Sequence, residues 1–138
     1  MKHWFLDTNV LMDFLAARQP FVQQADVLFQ LALAKRARLY MAGLSLSNLY
    51  YLLRRSHGTE QARQLLIGLQ ENTQLVAVDE HVVDQALHSG FSDFEDAIQH
   101  FAAASVPAIE ALIARNGRDF RASTLRILTP TEALAAAR

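Results

Sequence analysis

Short apolar runs alternate with longer helical patterns along this chain, and that alternation limits the folds open to it more than any other feature. The strand-like runs are 3–6 (HWFL), 38–42 (RLYMA), 75–78 (LVAV), 108–113 (AIEALI) and 126–128 (RIL). Between them the spacing predicts helices over 9–17 with 21–36, 45–55 with 59–71, and 80–89 with 93–104, then a closing helix from about 130, after Pro130. Parallel strands need a crossover between them, usually a helix, so the pattern predicts an α/β fold with a mostly parallel sheet of about five strands, covered on both faces. Gly43, Gly58, Gly90 and Gly117 fall where loops or helix ends are expected. With 138 residues, 51% of them hydrophobic, the chain has the size and apolar content of one domain, taken as 1–138, around one sizeable core. There is no internal repeat, low-complexity tract or linker.

Composition removes several classes of function. The formal charge of -1 gives no global basic footprint, so contact with a nucleic acid has to come from local arginines. No apolar stretch approaches the roughly 18 residues of a membrane span, and the opening "MKHWFLDTN" meets an acid too early for a signal peptide. A cytoplasmic protein without membrane contact is expected. The chain has no cysteine, which excludes a disulfide framework and a thiolate metal site. A metal would therefore be held by carboxylates, amides or imidazoles, which points to hard cations.

In a parallel α/β fold ligands bind along the edge formed by the carboxyl ends of the strands. Asp7 and Thr8 follow the first strand, and Ser45, Ser47 and Asn48 open the helix after the second. Asp79, Glu80 and His81 follow the third. Asp93 and Asp96 open the helix that feeds the fourth, and Asn116 and Asp119 lie beyond it.

Each of these residues also has a purely local reading. Asp7 can cap the helix near Asn9, although Thr8 serves equally well there. Asp93 and Asp96 complement a helix dipole, and Glu95 between them is expected to point to solvent. Asn116, Gly117 and Asp119 suit a turn, and Ser45 with Asn48 suits a weak capping box. His57, His81 and His100 are scattered and read as surface or boundary residues. "LYYLL" and "VLFQLAL" read as core stripes. The local readings do not explain why four carboxylates share one edge. Two carboxylates about 4 Å apart repel by roughly 4 kcal/mol at an effective dielectric of about 20. Four together call for raised pKa values or a divalent cation, and oxygen ligands suit Mg²⁺ or Mn²⁺.

The blocks "FLDTNVLMD", "SLSNLYYLLRR", "DFEDAIQ", "ARNGRDF" and "LTPTEAL", in this order, resemble the PIN domain over nearly the whole chain. That resemblance implies a three-layer α/β/α sandwich and a metal-dependent endonuclease, most often a ribonuclease, as in the VapC-like toxins of bacterial toxin–antitoxin pairs. It also implies an antitoxin partner and a homodimer. Asp7, Asp93, Asp96 and Asp119 match the acidic positions, and Asn48 stands where many members carry glutamate, although a branch with a similar block has an amide. Ala114 replaces a frequent Thr or Ser.

The mechanism expected from these residues places Mg²⁺ or Mn²⁺ on Asp7, Asp96 and Asp119 with Asp93 nearby, where such ions activate a water and neutralise charge on a scissile phosphate. Asn48 and Asn116 support the site, and Arg54, Arg55, Arg115, Arg118 and Arg121 hold the flanking phosphates of RNA. The alternative is a catalytically weak PIN module that binds RNA or a protein partner. A response-regulator receiver fits poorly, since only Asp79 can stand for its phosphate acceptor and the only lysines are Lys2 and Lys35. A haloacid-type phosphatase fits worse, since "DTN" lacks its second Asp.

Overall fold

Every β-rich run becomes a strand, and the strand faces alternate as a pleat requires. The elements are β1 (Lys2–Leu6), α1 (Thr8–Leu15), α2 (Val22–Leu33), β2 (Ala37–Ala42), α3 (Gly43–Glu71) and β3 (Gln74–Val76). They continue with α4 (Glu80–Leu87), α5 (Phe94–Ala104), β4 (Ala111–Ile113), the 3₁₀ turn η1 (Gly117–Phe120), β5 (Arg126–Leu128) and α6 (Pro130–Ala136). This computed structural model describes residues 1–137. The five strands are parallel, in the order β3-β2-β1-β4-β5. A receiver has the order 2-1-3-4-5, so the topology removes that reading.

Two apolar layers, instead of one core, cover the sheet. Trp4 and Leu6 of β1, Leu39 and Met41 of β2, and Ala111 and Ile113 of β4 pack on Val10, Leu28, Leu49, Leu53 and Ala133. Their strand neighbours Phe5, Tyr40, Ala42 and Leu112 face the other way, onto Val82, Ala86, Ala97, Ala102 and Phe120. A one-residue slip in register would exchange these faces, so the alternation fixes the pairing. Burial on both sides is also why the central strands read as continuous apolar runs.

Several local expectations change. The helical runs at 45–55 and 59–71 abut at a kink, where Gly58 has φ 82° and ψ 164°, so no loop separates them. Only glycine adopts that backbone readily. The third and fourth strands are shorter than their apolar runs, ending at Val76 and starting at Ala111. The helix after β2 begins at Gly43, which puts Ser45 inside its first turn, so the anticipated capping box with Asn48 does not form. A capping box does form at α6: Thr129 Oγ1 accepts from the Glu132 N–H at 3.1 Å and Glu132 accepts from the Thr129 N–H at 3.0 Å. The core stripes are also only partly core, since Leu49, Leu53, Leu28 and Phe29 are buried while Tyr51, Leu52 and Leu33 are exposed. His100 is buried, with Nδ1 2.7 Å from the Ser123 hydroxyl, and burial lowers its pKa.

Candidate active site

After β3 the chain crosses back over β1 to form β4, so the order of strands reverses between β1 and β4. Crevices outside the carboxyl ends of strands at such a reversal are the usual ligand sites of open α/β sheets. Asp7 lies there, its N–H donating to the Ile113 carbonyl of β4 at 2.9 Å. It occupies the cap position of α1, yet its carboxylate makes no capping hydrogen bond. The acid is therefore not explained by the helix it precedes.

What orients Asp7 is Gln99 of α5, a residue without a role in the sequence reading. Gln99 Nε2 donates to Asp7 Oδ1 at 2.9 Å, and its Oε1 accepts from the Thr8 N–H at 3.1 Å and from Thr8 Oγ1 at 3.4 Å. The Thr8 hydroxyl also lies 2.8 Å from Ser45 Oγ, which ties α1 to α3. Asp7, Ser45 and Gln99 are all buried. Burial pushes the Asp7 carboxyl up to about 6. The Gln99 hydrogen bond and the nearby N–H groups of Asn9 and Thr8 oppose that rise, and the charge of Glu95 adds to it.

Asp93 is the N-cap of α5, its Oδ1 accepting from the Asp96 N–H at 2.9 Å. The local reading thus holds for Asp93, but the same side chain also lines a cleft of about 640 Å³ with Asp7, Asp96 and Asp119. Asp96 is the most perturbed acid, pushed up to about 7 first by burial and then by the charges of Asp93, Asp7, Asp119 and Glu95. Glu95 corrects the sequence reading: it is half-buried and lines the cleft as a fifth carboxylate. An acid in the first helical turn, flanked by two others, is the signal that could have found it. Asp119, on η1, is exposed at the rim.

The arginines divide. Arg118 lines the acid cleft, and Arg121 lines an adjoining hollow with Arg118 and Asp119. Arg54 lies over the ring of Tyr51, 5.0 Å from its centroid, and Tyr51 is itself part of the cleft wall. Arg55 is exposed and does not line the cleft. Arg115 is turned elsewhere: its Nε lies 2.8 Å from buried Asp13, without a well-aligned hydrogen bond, and its guanidinium covers Phe21 at 4.1 Å. Asp13 also receives a hydrogen bond from Arg18 Nε at 2.9 Å, so two arginines compensate this second acid of "FLDTNVLMD". Asn48 lines the cleft, whereas Asn116 caps η1 by accepting from the Arg118 N–H at 3.0 Å. Asp79, the expected rival acid, caps α4 by accepting from the Val82 N–H at 2.9 Å.

The donor chemistry fits a hard divalent cation: carboxylates that raise one another's proton affinity, an amide at Asn48, and, among the described residues, one lining cation, Arg118. Among the described residues, no three His, Asp or Glu side chains already converge as a ready-made metal cage. The acids surround a cleft, and closing on an ion requires their side chains to turn inward.

Fold and site together define an acid-lined parallel α/β domain with its cleft at the β1/β4 reversal. The PIN domain family profile matches residues 3–118, and the chain belongs to that family. No curated protein matches the sequence. Among solved structures, the chain is similar to the DNA-bound VapBC of Salmonella typhimurium, with 18% identity and TM-score 0.74 over 94% of this chain and 99% of that one. It is similar to VapC20 of Mycobacterium tuberculosis, described as a sarcin-ricin loop cleaving toxin, with 20% identity and TM-score 0.64 over 85% and 92%. A toxin–antitoxin complex from Klebsiella pneumoniae gives 21% identity and TM-score 0.65 over 91% and 96%. At these identities the likeness is one of fold. Among the described residues no helix is long and apolar enough to cross a membrane.

Proposed function

We propose that this chain is a single-domain, divalent-metal-dependent endoribonuclease of the cytoplasm and the toxin of a toxin–antitoxin pair, active as a homodimer. One observation carries the reading: Asp96 is driven up to about 7 inside a cleft that four other carboxylates share. A protein gains nothing in stability from such a cluster, whereas a cation binding there gains from every member of it. Membership of the PIN family, and structural neighbours described as toxins and toxin–antitoxin complexes, support the nuclease and the partner.

Asp7, Asp96 and Asp119 would hold Mg²⁺ or Mn²⁺, with Asp93 beside them and Glu95 adding charge. The bound ion supplies an activated water and charge neutralisation at the scissile phosphate. Gln99 fixes one oxygen of Asp7, a carboxylate that lines the cleft. Asn48 orients a water or the substrate without adding charge. Arg118 and Arg121 take the flanking phosphates, and Asn116 supports them by shaping η1. Arg115 leaves this set because Asp13 holds it.

The test is incubation of the purified protein with single-stranded RNA and Mn²⁺ beside its Asp7→Asn variant. Cleavage by the wild type and its loss in the variant is the expected result, and equal cleavage by both overturns the assignment. A second reading, a catalytically weak PIN module that binds RNA or a protein partner, draws on the amide at Asn48 and on the unconverged acids. A protein that binds RNA in Mn²⁺ without cleaving it would favour this second reading.

A further inference from the structure

We propose that Tyr51 and Arg54 form a stacking platform for one nucleobase of a single-stranded RNA whose backbone crosses the acid cleft; this site deepens the ribonuclease reading and rests on it. Tyr51 is the aromatic side chain among the residues lining the cleft. It lies within "LYYLL", where helical periodicity buries Leu49 and Leu53 completely, yet it exposes 55% of its surface even with the Arg54 guanidinium over its ring. Next to it Leu52, also lining the cleft, exposes 46% and extends the apolar ledge.

The ring is held in place. Tyr50 meets it edge-on, with centroids 6.0 Å apart and planes at 71°, while Arg54 lies over it at 5.0 Å. A ring already fixed by its neighbours loses little freedom when a base stacks on it. Electrostatics favour a base in this place. Among the described residues the cleft is lined by five carboxylates and one arginine, Arg118, with Arg54 and Arg121 beside it, and the net charge of the chain is -1, so phosphates supply only part of the attraction. Stacking on an aromatic ring is uncharged, tolerates any base and is reinforced by a guanidinium. The ledge thus supplies affinity that the acids cannot.

The test uses Tyr51→Ala, Tyr51→Phe and Tyr51→Trp with a single-stranded RNA oligonucleotide and the same strand carrying abasic residues, both with Mn²⁺. Tyr51→Ala is expected to lower kcat/KM on the intact strand by about 5- to 100-fold, mainly through KM, while Tyr51→Phe stays near wild type. On the abasic strand the wild type and all three variants should be equal. Trp4 is buried, so the indole introduced by Tyr51→Trp reports separately, and rapid mixing should show it quenched by the intact strand but not by the abasic one. Wild-type cleavage by Tyr51→Ala, or the same loss on both strands, overturns the platform. Quenching without cleavage by any protein keeps the platform and removes the ribonuclease reading. Absence of quenching overturns the platform whatever the cleavage result. Variants that handle RNA normally but weaken self-association in sedimentation would assign this face to a protein contact, which also overturns it.

Discussion

Gln99 and Asp7, 92 positions apart in sequence, meet in a buried hydrogen bond of 2.9 Å, and through it the helix that carries Asp96 sets the orientation of the acid at the end of β1. The same amide accepts from the Thr8 N–H, so both of its ends are committed.

Replacing Gln99 with Leu should therefore lower activity at least 10-fold, because Asp7 loses its fixed rotamer. It should also lower stability by about 1–3 kcal/mol, since buried polar groups lose their partners. RNA cleavage and denaturant unfolding of the two proteins check this. Unchanged cleavage would show that Gln99 does not orient Asp7.

Removing the buried acid should have the opposite effect on stability. Asp7 is raised from 3.8 to about 6 in the fold, so the folded protein holds a proton that the unfolded chain has released. Its stabilising contribution is complete below pH 4 and is lost as pH rises through about 6. Asp7→Asn should match the wild type most closely near pH 4 and gain on it as pH rises, by ~3 kcal/mol at pH 8. The shifts of His100, Glu132 and Asp13 are common to both proteins, whereas Asp96, which the charge of Asp7 helps to raise, relaxes in the variant and adds to its gain at high pH. Melting curves from pH 4 to 8 test it, and a gap that does not widen with pH would contradict the burial argument.

Gly58 makes a prediction away from the site. Nothing lies within 4 Å of where its Cβ would stand, so Gly58→Ala meets no clash. The substitution should nonetheless destabilise by about 1–3 kcal/mol, because φ 82° with ψ 164° is backbone that alanine adopts only under strain. Urea unfolding measures it. A neutral result would mean that the kink relaxes into continuous helix.

The alternation of strand and helix was legible because the central strands are buried on both faces and the helices bury apolar residues against the sheet, and such burial leaves its pattern in the chain. That Asp7, Asp93, Asp96 and Asp119 share one cleft was legible for a related reason: parallel topology brings strand ends and helix starts to one edge. Glu95 and Gln99 were not, because which side of α5 meets the cleft depends on how that helix packs against β2 and α4. Arg115 was misplaced for the same reason. Its position after β4 is right for the edge, but its side chain turns to Asp13, an acid that sequence spacing leaves among core residues. Tyr51 shows that periodicity assigns residues to a helix face without saying what covers that face.

Calorimetric titration with Mn²⁺ tests the central claim, that these carboxylates are a metal centre. At pH 8 the wild type should bind saturably, with proton release and weaker affinity at pH 6, because the ion competes with the protons that Asp96 and Asp7 hold up to about 7 and 6. Asp96→Asn should abolish or greatly weaken that binding. No saturable heat from the wild type, or the same isotherm from the variant, would contradict the account.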